Sequence, residues 1–297
     1  MHPGTRILIS GAGVAGLTCA LWLQQKGLCP VVVEKSDSVR TGGFLVSLSH
    51  HAYHYAEGLG IMPELRAHSC GIQSSSYHNP GGRSILHLQS RALFSGVDVI
   101  QLMRDDLVAI LYRRCHQQGI ELRFADEIRN LDEQRQVVNV EFASGRQESF
   151  EAVIGADGHN SAVRQLVFDA DDIRFHHLNL HCAAYRLANV VDIQDKFETH
   201  MQRDRYMAVF SSGAGDLGSV FVWDCAEREV PSGDDRRTTL LAAFSHGDAA
   251  TQRVIAECPG GEDIYMSALK QVEARHWCQN RIALVGDAAH SLTLFSG

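Results

Sequence analysis

Three short runs of the 297-residue chain carry residue types and spacings that can do chemistry: "RILISGAGVAGLTCALWLQQKG", "EAVIGADGHNSAVR" and "RIALVGDAAH". The first places Gly11, Gly13 and Gly16 in G-x-G-x-x-G spacing directly after an apolar strand, Arg6 to Ser10. Gly11 permits a tight strand-to-helix turn, Gly13 lets the backbone approach a pyrophosphate, and Gly16 lets the helix pack close to the strand. Val14 and Ala15 then open a helix whose unpaired N–H groups and positive dipole end face the anion. Gly27 ends that helix, "PVVVE" makes a second strand, and Glu34, followed by Lys35, falls where an acid meets a ribose hydroxyl. A second match, "GAGDLG" at Gly213, Gly215 and Gly218, lies between β-branched and aromatic runs and reads as a hairpin turn.

The elements that must position a ligand on this loop recur later in the chain. Val153 and Ile154 finish a buried strand, after which Gly155 and Gly158 flank Asp157, with Ser161 and Arg164 at the start of a helix. Ile282 to Val285 form another strand, whose end presents Gly286 and Asp287. Ligands of open α/β sheets bind at the carboxyl ends of strands, so three such ends can converge on one extended molecule. Carboxylates there accept hydrogen bonds from a polyol. FAD offers a ribityl chain, a nicotinamide dinucleotide only ribose, and the pattern favours FAD.

The ordered set of motifs resembles the class A flavoprotein monooxygenases, single-component FAD-dependent aromatic hydroxylases similar to p-hydroxybenzoate hydroxylase. The resemblance implies an α/β fold: a Rossmann-like FAD-binding domain with an inserted β-sheet substrate domain. It assigns the pyrophosphate to Gly11, Gly13 and Gly16, the adenosine ribose to Glu34, contacts with FAD and a passing NAD(P)H to Asp157 and Gly158, and the ribityl chain and phosphate to Gly286 and Asp287. Arg40 in "SVRTGGFLV", with Gly43, resembles the segment near the phosphates and flavin ring. Arg104, just before a helix, would oppose that helix's dipole unless an anion lay close; the other reading is a solvated arginine beside Asp105 and Asp106. The implied chemistry is reduction of FAD by NAD(P)H, capture of O2 as a flavin hydroperoxide and oxygen transfer to a small or polycyclic phenolic ring. The protein then has to hold substrate, exclude water and gate the flavin, and no catalytic residue is named.

On this reading residues 1–71, 93–170 and 270–297 form the FAD-binding domain, and 72–92 and 171–269 the substrate-binding sheet. Strand-like runs with turn signals fill 171–269, and a hairpin is expected around Asn79 to Gly82. Tyr185, Arg186, Tyr206, Phe221 and Trp223 are pocket candidates. Alternation puts His181, Ala183 and Leu187 on the face of Tyr185 and Cys182, Ala184 and Arg186 on the other, without choosing which face meets substrate.

Net charge is −8 with no basic cluster, which argues against nucleic acid as partner. The eight cysteines show no C-x-x-C pair, and with no signal peptide or membrane span the expectation is a cytoplasmic protein with free thiols. The histidine runs His50, His51, His54 and His176, His177, His181 lack a neighbouring acid to complete a ligand set, so no metal is expected. Competing readings are an FAD-dependent reductase, a halogenase, whose W-x-W-x-I-P is missing because Trp22, Trp223 and Trp277 are isolated, and a silent flavin- or nucleotide-binding protein. In the resembling family a proline and a glycine-rich turn into a helix follow "GDAAH". Here the proline position is Leu294 and the sequence stops at Gly297, so a C-terminal helical part is expected beyond it.

Overall fold

The computed structural model describes residues 2–39, 42, 44–213 and 215–293. It divides into two compact units, Met1–Arg40 with Val108–His176 and Lys270–Gly297, and Thr41–Leu107 with His177–Leu269.

The first unit is built on a six-stranded sheet in the order Cys278–Gln279, Ile282–Leu284, Ala152–Gly155, Arg6–Ser10, Cys29–Val33, Glu121–Arg123. All neighbours are parallel except the short edge strand Cys278–Gln279. Parallel strands covered on both faces need apolar residues at every position. Ile7, Leu8 and Ile9, and Val31, Val32 and Val33, are buried in succession. Strand order reverses between Arg6–Ser10 and Ala152–Gly155, so the turns that leave these two strands flank a topological switch point. A three-stranded antiparallel sheet (Ile128–Glu133, Val138–Phe142, Gln147–Phe150) adds Phe142 and Phe150 to the same core.

In the second unit the strands Ile173–Leu187, Leu217–Asp224, Arg205–Ser211, Lys196–Met201, Ser74–His78 and Ser84–Gln89 are consecutive neighbours in one mixed sheet. Both expected hairpins form: Ser74–His78 pairs with Ser84–Gln89, and Arg205–Ser211 with Leu217–Asp224 across the second glycine run. Helices Asp235–Ala243 and Ala249–Ala256 bring Leu240, Val254 and Ile255 onto one face of this sheet.

The units divide differently from the sequence-based boundaries, which give 41–71 and 93–107 to the first domain. Strand Leu45–Ser49 pairs along its length with Val99–Met103, and the Cys70 amide donates to the Gln101 carbonyl. These segments hold one another, and they belong to the second unit. No helix among the described residues is long and apolar enough to cross a membrane.

Candidate functional site

The glycine loop forms as its spacing requires. Gly11 has φ +106°, and a Cβ there would lie 2.5 Å from the Ala156 carbonyl oxygen. At Gly16 a Cβ would sit 1.9 Å from the Gly11 carbonyl oxygen, so only glycine lets helix Val14–Gln25 start this close to the strand. Gly13 differs: a Cβ there would meet nothing within 4 Å. It caps the helix with no side-chain acceptor, and no acid stands in the first turn. An uncapped helix start of this kind, with open space at its glycine, is the type of site that takes a pyrophosphate. Val14 and Ala15 are half-buried beside it, and Lys35 is exposed.

The other two motifs meet this loop. Ser10 accepts from the Ala156 amide at 2.8 Å, and Gly155 accepts from the Val285 amide at 2.9 Å, so the three strands end side by side. Gly286, at φ +60°, lies so close to Ala15 that a Cβ would come within 2.7 Å of the alanine methyl. Asp287 is exposed on the turn that follows. Asp157 directs one carboxylate oxygen to the amides of Ala162 and Val163 at 2.8 and 3.1 Å, capping helix Ala162–Val167. Its other oxygen, Oδ1, is buried without a partner. A buried acceptor without a donor is costly, and a ligand hydroxyl or amide there would satisfy it. Gly158, at φ +79°, again has open space where a Cβ would be.

Glu34 reaches the loop itself: its carboxylate accepts from the Ala12 amide at 2.9 Å and the Ser36 amide at 3.0 Å. The acid thus fixes the glycine loop against the end of the second strand.

One residue of the second motif, to which the sequence gives no role, holds this arrangement together. Arg164 is 1 % exposed and donates to the carbonyls of Ala288 at 2.8 Å and His159 at 2.6 Å, lying also over the Phe175 ring. It ties the second turn to the third. Burial pulls its pKa down, and the Asp157 charge opposes that.

Arg40 and Gly43 lie outside the described residues, as do Leu294 and Gly297. Arg104, a residue of the second unit, begins helix Arg104–Gln117, which passes into the first unit at Val108, and its amide donates to the Phe44 carbonyl. The aspartates that follow it are engaged by Arg186, which donates to Asp105 and Asp106 at 2.9 and 2.8 Å.

The sheet of the second unit corrects three pocket candidates. Tyr185, Phe221 and Trp223 are 3, 0 and 5 % exposed and pack with Leu240, Phe244 and Val254 under the two helices. The Tyr185 hydroxyl donates to the Val254 carbonyl, and burial pushes its pKa up. These are core residues. Tyr206 stands opposite Val222 in the register, one position out of phase with Phe221, and so occupies the other face of the sheet. Burial raises its pKa as well.

Against known proteins, the whole of residues 4–297 matches the model of a family described as FAD binding domain. The chain belongs to that family, and with it to the class A flavoprotein monooxygenases. It is a flavin-dependent oxidoreductase. A flavin-dependent monooxygenase from an unknown prokaryotic organism is 28 % identical over 303 residues, covering 100 % of this chain and 77 % of the relative. Another, from Legionella longbeachae, is 27 % identical with the same coverages. Among solved structures, the tetracycline destructase Tet(55) superposes with a TM-score of 0.84 at 25 % identity, over 100 % of this chain and 77 % of that one.

Proposed function

We propose that this enzyme hydroxylates a phenolic aromatic compound, small or polycyclic, using NAD(P)H and O2. The observation that carries the reading is that three strand-end turns meet at the glycine loop, where Gly13 leaves open space and Asp157, beside Gly11, keeps Oδ1 without a partner. The relatives' name, flavin-dependent monooxygenase, supports the reaction class, and the tetracycline destructase supports a polycyclic phenol as one kind of substrate.

The first unit holds FAD and the second supplies the substrate-binding sheet. The amides at Gly13 to Gly16 take the pyrophosphate, Glu34 the adenosine ribose, Gly286 and Asp287 the ribityl chain, and Asp157 and Gly158 the cofactor and the passing NAD(P)H. Lys35, Arg40, Gly43 and Arg104 complete the cofactor contacts. Tyr206 is the aromatic that remains as a wall of the substrate pocket. Bound FAD supplies two-electron reduction by NAD(P)H and activation of O2. The net reaction is Ar–H + O2 + NAD(P)H + H+ giving Ar–OH + H2O + NAD(P)+. The chain's own part is to hold both molecules in register and keep water out.

The test is NAD(P)H oxidation by the FAD-loaded protein across a panel of phenols and polycyclic aromatics, with O2 uptake and product mass followed together. One O2 consumed and one oxygen gained per NAD(P)H is the expected result. Substrate-dependent NAD(P)H oxidation without O2 uptake would make the protein a reductase instead.

A further inference from the structure

Two histidines far apart in sequence become neighbours in the second unit. Strands Ser74–His78 and Lys196–Met201 are parallel, with His78 directly beside His200 in the register. Glu198 lies two residues before His200 and therefore on the same face of the sheet. This face is the one covered by the helices, since His200 stands opposite Met207, a member of the core beneath them.

We propose that His78, Glu198 and His200 bind a divalent transition-metal ion of the Zn2+ type, with Asp248 orienting His200 from behind. The donor atoms of the three side chains all lie within 4.8 Å of one another. The Nε2 atoms of both rings are buried without hydrogen-bond partners, and the His200 side chain is 6 % exposed. Each faces the same carboxylate oxygen of Glu198, at 3.9 Å from His78 and 3.8 Å from His200. That spacing is too long for hydrogen bonds and leaves room for an ion between them.

The far side of each ring is arranged as in metal-ligating histidines. His200 Nδ1 lies 2.6 Å from Asp248 Oδ2, and His78 Nδ1 lies 3.3 Å from the Gly82 carbonyl. An acceptor at Nδ1 fixes the proton there and turns the unprotonated Nε2 inward. Asp248 is itself held, because its other oxygen accepts from the Thr251 amide at the start of helix Ala249–Ala256.

The charge of the cluster suits a dication. The cluster brings together two part-buried carboxylates, and the imidazole rings are stacked with centroids 4.5 Å apart and planes 7° from parallel. A single divalent ion balances the two carboxylates. Closing on the ion requires the rings to tilt toward each other at their Nε2 edges, and His78, with the longer Nδ1 contact, is the ring free to do so. The ion would join the two strands and, through Asp248, the helix.

The test uses the FAD-loaded protein, stripped with chelator and titrated with Co2+ at neutral pH, reading the d–d absorption to the red of the flavin and the Zn2+-dependent rise in Tm. One equivalent should bind to the wild type, His78→Gln should abolish the band, and Asp248→Asn, which keeps the helix cap, should weaken affinity roughly 10–100-fold. Glu198→Gln serves if His78→Gln fails to fold. Absence of a band and of a Tm rise in the wild type would overturn the proposal. So would equal binding by wild type and variants, which would place the ion elsewhere.

Discussion

Arg164→Met tests whether the second and third turns are held as one structure. The guanidinium makes two hydrogen bonds, to the Ala288 and His159 carbonyls, in a site 1 % exposed. Hydrogen bonds to a charged group contribute about 1.5–3 kcal/mol each, giving roughly 3–6 kcal/mol in all. Methionine fills similar volume and removes the cost of burying a cation, which offsets part of that loss. The net expectation is about 2–4 kcal/mol of lost stability. Lysine would not substitute, because one ammonium cannot span two carbonyls as the planar fork does. Urea unfolding of the apoprotein reads the stability, and fluorescence titration reads FAD affinity, which should fall at least tenfold as the Gly286–Ala288 turn loosens. A variant with wild-type stability and wild-type FAD affinity would refute the claim that Arg164 couples the two turns.

Gly13→Ala should leave the unfolding midpoint unchanged, since its Cβ meets nothing within 4 Å, yet weaken FAD binding in the same titration. Gly16→Ala should instead lower Tm with or without FAD, because its Cβ collides with the Gly11 carbonyl. Asp287→Ala should raise the FAD dissociation constant roughly tenfold to a hundredfold, the loss of a charged hydrogen bond, with apoprotein stability unaltered. Hydrogen bonding to Arg123, and then to Arg6, holds the Glu148 carboxyl below its usual range against the opposing effect of burial. Its stabilisation is therefore complete above the unfolded value near 4.3 and is lost as pH falls through the lower folded value. Urea midpoints measured against pH should be flatter in that acid window for Glu148→Gln than for the wild type.

What the sequence revealed follows from which residues are constrained by the backbone alone. Gly11 and Gly16 are dictated by a positive φ and a close approach, so their spacing announces the loop before any fold is known. The turns at Asp157 and Asp287 are legible for the same local reason, as are the hairpins at 79–82 and 213–218. The pocket face was not. Residues on both faces of the strands around Tyr185 and Phe221 are buried, Cys182 and Ala184 as fully as Ala183 and Tyr185, so alternation has no polar side to give it a sign. Non-local pairing hid the rest: Leu45–Ser49 finds Val99–Met103, His78 finds His200, and Arg164 finds a carbonyl 124 residues away. None of these partners leaves a mark at short range.

The central claim, a flavin-dependent monooxygenase built on the Gly11–Gly16 loop, is tested most directly by turnover of the FAD-loaded protein with NAD(P)H, a phenolic substrate and isotopically labelled O2. The account predicts one labelled oxygen atom in the aromatic product and the other in water, with both lost in Gly13→Ala in proportion to its lost FAD. Unlabelled product, or NAD(P)H rather than FAD occupying the Gly11–Gly16 loop, would contradict it.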